Sequence, residues 1–213
     1  IIIKNMWDLI VHHFIEIEII EDLFDGVESD LNKKVQLNNK KDLLVYSYRV
    51  AGTVGLMMAK ILNVKDQNSM KAAIDLGIAM QLTNIARDVV EDSNINRFYI
   101  KNDFEAICNT LALADLFYKS SFVAIKQIPL KFRFAILVAR RVYKKIGNKI
   151  LRTKNIEAYN KAGKIYVNSV EKILQTIFSV FDLITLFLTK QKSSYMNNEH
   201  FLINEEINLD ERI

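Results

Sequence analysis

Only one proline, Pro129, interrupts the 213 residues, and glycine occurs six times. Sandwiches and barrels turn roughly every 8–12 residues and draw on both residue types to do so. So few punctuators favour long uninterrupted helices, and the chain is expected to be all-α. Hydrophobic period and breakers predict helices near 5–31, 41–63, 69–93, 102–126, 131–153 and 157–189. The joints are polar: NKKVQLNNK, NVKDQNS and SNINR. No internal repeat or linker marks a second domain. Residues 1–190 are therefore read as one all-α domain and 191–213 as a polar tail; a hydrophobic content of 50% suffices for a sizeable core.

The net charge of +4 would suit an anionic partner, but the basic residues are scattered and no Lys/Arg tract points to nucleic acid. A single cysteine, Cys108, excludes an internal disulfide, and with His12, His13 and His200 it makes no zinc set. A reducing, cytoplasmic setting is expected. The chain begins without methionine or a signal-peptide pattern, so Ile1 is read as a truncation point. Residues 173–189, ILQTIFSVFDLITLFLT, approach the shortest membrane-spanning length but contain Gln175, Ser179 and Asp182. They predict a packed amphipathic helix, with peripheral contact to a membrane surface as the alternative.

The third helix carries the chemistry. With about 100° per residue, Gly77, Gln81, Asn84, Asp88 and Asp92 share a stripe about 80° wide. Ile74, Ile78, Leu82, Ile85 and Val89 flank it, and Ala79, Ala86 and Val90 occupy the far side, as in a helix inside a bundle. Buried carboxylates one turn apart repel each other and lose hydration, unless a cation joins them. Asp88 and Asp92, with the neutral oxygen of Asn84, are hard donors of the kind Mg²⁺ takes, and Mg²⁺ keeps company with phosphate oxygens. Spacing alone leaves a solvated acidic helix end equally open.

In the second helix, LLVYSYRVAGTVGLMMAKIL, the residues Tyr46, Val50, Thr53 and Met57 share a face, while Gly52 and Gly55 permit close helix approach. This face could wall an apolar cavity or serve ordinary packing.

VAGTVGLM at 50–57, LGIAMQLTNIARDVVED at 76–92 and RFY at 97–99 resemble the squalene/phytoene synthase family of head-to-head prenyl transferases. FDGVESDL at 24–31 and ARRVYKKIGNKI at 139–150 extend the resemblance, in order, over roughly residues 7–175. The details are closer to the bacterial phytoene synthases than to squalene synthases.

The resemblance implies an all-α isoprenoid synthase fold around a central cavity, with prenyl diphosphates held by Mg²⁺ (or Mn²⁺) between two aspartate-rich helices. It implies Asn84, Asp88 and Asp92 as metal-binding, Gln81 and Arg87 as diphosphate contacts, and Tyr46, Val50 and Tyr143 as lining near the reacting chains. The implied reaction joins two geranylgeranyl diphosphates to phytoene through a cyclopropyl diphosphate, without a reductant. Arg87 lies about 100° off the stripe and could be structural, and Tyr143 could be a core tyrosine.

Departures from the family pattern also matter. The family's first aspartate-rich motif should precede FDGVESDL by a distance this chain does not contain, so the chain is expected to be an inactive fragment lacking the N-terminal helices. Glu18/Asp22 and Glu21/Asp25 are read as solvated pairs. Asn96 stands where the family commonly has glycine, and Lys161-Ala162 where it often has Arg-Ala. The alternatives are a squalene or dehydrosqualene synthase using farnesyl diphosphate, and a non-catalytic assembly protein of the same fold.

Overall fold

The computed structural model describes residues 2–189 and 197–213. In chain order it comprises α1 (Ile2–His12), α2 (Ile17–Ser29), β1 (Val35–Gln36), α3 (Lys40–Ser47), a π-helical turn (Tyr48–Gly52) and α4 (Thr53–Ile61). There follow α5 (Gln67–Asn94), β2 (Arg97–Phe98), α6 (Phe104–Phe122), a 3₁₀ turn (Val123–Gln127), α7 (Leu130–Leu151), α8 (Ile156–Ala162), α9 (Ser169–Leu188), α10 (His200–Asn204) and a final 3₁₀ turn (Leu209–Glu211). The all-α expectation holds, apart from a two-residue parallel pairing of Val35 with Arg97 and Gln36 with Phe98.

Several expected helices are divided. The one expected over 5–31 breaks at Phe14, which takes φ of 51° and lets the Ile15 amide reach back to the Ile10 carbonyl. The last one breaks at Gly163, whose φ of 62° suits a residue without Cβ. Caps set several starts: the side chains of Asn39, Asp66 and Asn155 accept from the amides of Asp42, Ser69 and Ala158. Asn168 and Glu171 form a reciprocal capping box at the start of α9.

Helix α5 is the axis of the bundle and packs against α3, α4, α6 and α7. Ile74, Ile78, Leu82 and Ile85 along it are buried, together with Tyr48, Leu56, Phe117 and Leu137 from its neighbours. The helix meets the π turn and α4 through backbone. A Cβ on Gly77 would collide with the Ala51 carbonyl, and one on Gly55 with the Ala73 carbonyl.

The expectation of a polar tail needs correcting for 197–213; residues 190–196 lie outside the described residues. Ile203, Ile207 and Leu209 are buried in the main core. Around them Lys40 pairs with Glu199 at 2.6 Å, Lys71 with Asp210 at 2.6 Å and Arg212 with Asp22 at 2.8 Å. Three apolar residues at irregular spacing anchor an otherwise polar segment, a pattern no periodicity flags. Asp22, expected to be solvated, is buried and also accepts from Tyr48 at 3.1 Å. Helix α9 packs on α7 and is tied by Arg141 to Asp182, yet it leaves Ile177, Phe178, Phe181, Ile184 and Phe187 exposed. Among the described residues no helix is long and apolar enough to cross a membrane.

Replacing glycine by alanine inside a helix ordinarily stabilises by about 1 kcal/mol. Gly77→Ala is expected to reverse that sign and lose about 3 kcal/mol, since the clash is with backbone rather than a movable side chain. Urea denaturation measures it; an unchanged or raised midpoint would contradict the contact.

Candidate functional site

The stripe on α5 links two environments. At its N-terminal end Gln81 and Asn84, with Val50 and Tyr143, line a cavity of about 360 Å³. The remaining walls are small or apolar, including Val54, Met58, Ala73 and Met80. The π turn presents Val50 and Ala51 to this space, and Gly77 lets α5 close against it. Asn84 Oδ1 is buried and has no hydrogen-bond partner among the described residues. An orphaned buried acceptor loses its hydration without compensation, so its position calls for a donor or a cation.

One and two turns further along, Asp88 and Asp92 lie outside the cavity lining. Arg87 grips Asp88 through both ends of its fork, Nε to Oδ1 at 2.8 Å and Nη2 to Oδ2 at 2.5 Å. That carboxylate raises the Arg87 pKa above its ordinary value. Lys164 reaches in from the turn after α8, with Nζ 3.7 Å from Asp88 Oδ1 and 2.6 Å from Glu91 Oε2. Among the described residues Asp92 has no comparable counterion. Burial, then the charges of Asp88, Glu91 and Asp30, push its pKa up to about 6, against a smaller lowering by Lys164. On α8, Tyr159 donates to the Arg87 carbonyl at 2.6 Å, holding the turn that carries Lys164 against α5.

Tyr46 does not line the 360 Å³ cavity; it belongs to a second cluster. Its hydroxyl donates to Asp30 Oδ2 at 2.8 Å, Tyr99 donates to Asp30 Oδ1 at 2.7 Å, and the two rings stack. Burial is the main cause lifting both phenol pKa values, and hydrogen bonding to Asp30 adds to it. Gln81, Asn84, Val50 and Tyr143 are thus brought together, Arg87, Asp88 and Asp92 adjoin them along α5, and Tyr46 sits apart. Sequence reasoning missed Asp30, Tyr99, Tyr159 and Lys164, which come from four separate segments. It singled out Lys161 instead, which is exposed. The reversal at Gly163 is what sends Lys164 rather than Lys161 towards the carboxylates. Asn96 takes φ of 59°, a conformation asparagine tolerates better than most residues, so the loop keeps a glycine-like turn.

The donors fit a hard divalent cation: two carboxylates and an amide oxygen in line, one orphaned and one surrounded by like charge. Among the described residues no cluster of three His, Cys, Asp or Glu encloses a metal. A larger open groove, about 820 Å³, lies between β2, α3 and α6, but it carries none of the stripe and meets this region only at Tyr99.

Residues 3–104 match the family model described as squalene/phytoene synthase. The chain is 36% identical to a 15-cis-phytoene synthase of Paracoccus sp., over 68% of this chain and 55% of that protein. It is 37% identical to the 15-cis-phytoene synthase of Pantoea ananas, over 61% and 48%. It thus spans about half the length of the curated relatives it matches. Its fold is similar to the crystal structure of a dehydrosqualene synthase in complex with ligand, with a TM-score of 0.64, 24% identity, and 80% of this chain and 66% of that one covered.

Because the folded Asp92 pKa lies above its ordinary 3.8, the native chain binds that proton more tightly than the unfolded chain does. This contribution is full below 3.8 and lost as pH rises to about 6. Asp92→Asn is expected to remove that slope and, without divalent cations, to be at least as stable as the parent at neutral pH. Denaturation midpoints across this window check it; a parallel pH dependence in both proteins would refute the assignment.

Proposed function

The chain belongs to the squalene/phytoene synthase family, and from that premise we propose that the stripe on α5 is the polar wall of a prenyl-diphosphate site in an enzyme that joins two geranylgeranyl diphosphates to phytoene. The observation that carries this reading is the continuity of an apolar cavity with the stripe, through Gln81 and the orphaned Asn84 oxygen. Such a joint suits a substrate with a long hydrocarbon tail and a multiply charged head.

The apolar walls around Val50, Met80 and Tyr143 take up hydrocarbon and keep water from reactive cations. Gln81 supplies an amide donor where tail gives way to head. Arg87 and Lys164 bring positive charge to the diphosphate, Arg87 by loosening one arm of its fork on Asp88. Asn84, Asp88 and Asp92 would hold Mg²⁺ or Mn²⁺, which would supply positive charge to offset that developing on a departing diphosphate. Asp92, with its pKa near 6, is mainly ionised at neutral pH and largely protonated at pH 5, so cation binding falls with acid.

The intact gene product is expected to turn over geranylgeranyl diphosphate in a Mg²⁺-dependent manner. Asp88→Asn is expected to lower kcat by about 10²-fold or more, as removal of a charge-stabilising group does. Chromatography of products from geranylgeranyl and farnesyl diphosphates distinguishes phytoene from dehydrosqualene formation. No Mg²⁺-dependent product from either substrate would overturn the reading.

The exposed apolar face of α9 supports peripheral contact with a membrane, which suits a lipid product. Phe181→Glu is expected to weaken co-sedimentation with phospholipid vesicles several-fold while leaving the denaturation midpoint in place, since the side chain is 59% exposed. Equal co-sedimentation of variant and parent would count against this contact.

A further inference from the structure

The segment 199–212 plays no part in the roles assigned above, yet it grips both sides of the 360 Å³ cavity. On one side, Arg212 Nε donates to Asp22 Oδ2 at 2.8 Å, and the Tyr48 hydroxyl donates to the same oxygen at 3.1 Å. Tyr48 opens the π turn, and its ring packs on Gly52 beside Ile74 and Ile78 of α5. Glu206 pairs with Arg49 of the same turn at 3.3 Å. On the other side, Asp75 of α5 is wholly buried and bonded to His200 at 2.6 Å, and Ser120 of α6 donates to it as well. Tyr48, Asp75 and Ser120 lie outside the cavity lining, but Val50, Leu76 and Ser121, one or two residues along the chain, form it.

We propose that 199–212 is a clamp on the cavity, with Arg212 and His200 as positioning residues that hold the π turn and α5 at the separation a prenyl chain needs. This rests on the function proposed above. Apolar walls around an unfilled space gain dispersion contacts by moving together. The approach of Gly77 to the Ala51 carbonyl fixes only the point where the walls touch, so the stretches on either side of it need a hold of their own. Hydrogen bonds onto a carboxylate supply that hold, because their geometry is narrow and because breaking them leaves charge buried without compensation. Arg212 acts through Asp22 and Tyr48 on the π turn and Val50, whereas His200 acts through Asp75 on α5 and Leu76. Both come from one short segment whose Ile203, Ile207 and Leu209 are set in the main core, which refers the two walls to a common anchor. Affinity for the hydrocarbon then depends on residues that touch neither tail nor diphosphate.

The test uses Arg212→Gln, Arg212→Lys and His200→Leu in the intact gene product, at a temperature well below every denaturation midpoint. Arg212→Gln and His200→Leu are each expected to raise KM for geranylgeranyl diphosphate by about 10-fold with kcat kept within about 2-fold, since a displaced wall weakens binding without removing a group that acts in the transition state. Arg212→Lys keeps a cation for Asp22 and should recover most of the parent KM. Ile10→Val, in the buried position of α1, lowers stability with the clamp intact and should leave KM in place. Geranylgeraniol gives a reading without turnover: it should raise the denaturation midpoint of the parent, and raise those of Arg212→Gln and His200→Leu by less. An unchanged KM in either clamp variant, a rise in Ile10→Val matching theirs for an equal loss of stability, or equal midpoint shifts with geranylgeraniol would each overturn the proposal. A parent inactive on both prenyl diphosphates defeats the proposed enzyme, and the geranylgeraniol shifts then decide the clamp by themselves. No shift in the parent overturns the clamp as well.

Discussion

Gly77 against the Ala51 carbonyl and Gly55 against Ala73 are contacts between backbones, and the candidate site depends on them. Where side chains separate two helices, the distance between them adjusts with the residues at the contact. Here there is nothing to adjust, so the π turn and α5 are held at one separation and register. That register turns Val50 towards the same cavity as Gln81 and Asn84. The π turn contributes as well, since its wider winding re-aims the chain between α3 and α4.

The interior so formed is unbalanced in charge. Arg87 and Lys164 answer Asp88 and Glu91, while the charges of Asp88, Glu91 and Asp30 act on Asp92 against a smaller opposing effect of Lys164. Asn84 adds an acceptor without a donor. A stable core ordinarily resolves such features by pairing or by neutralisation. Their concentration along one helix, beside an apolar cavity, is the signature of a place where binding completes the structure.

Elsewhere two buried carboxylates are held by several partners each, and the pairing spans the chain. Asp75, wholly buried on α5, accepts from His200 at 2.6 Å and from Asn197 at 2.9 Å as well as from Ser120. Asp22 on α2 is bonded by Tyr48 and by Arg212 from the last turn of chain. These partners are 125 and 190 residues away for His200 and Arg212. They fasten 197–213 to α2 and α5.

Much of this was legible in the sequence for a local reason: period, scarce breakers and the 3.6-residue spacing of Gln81, Asn84, Asp88 and Asp92 are properties of a single helix. The helical class and the stripe followed from them, and the family from the resemblance of short contiguous blocks such as QLTNIARDVVED. The breaks at Phe14 and Gly163 were less legible, because a left-handed residue leaves little trace in hydrophobic period. What only the tertiary structure decided concerns residues distant in sequence. It moved Tyr46 away from the cavity and onto Asp30, selected Lys164 over Lys161, buried Asp22, and turned the expected tail at 197–213 into part of the core. Helical spacing determines which side chains share a face, whereas which faces meet depends on packing, backbone approach and the pairing of buried charge across the whole chain.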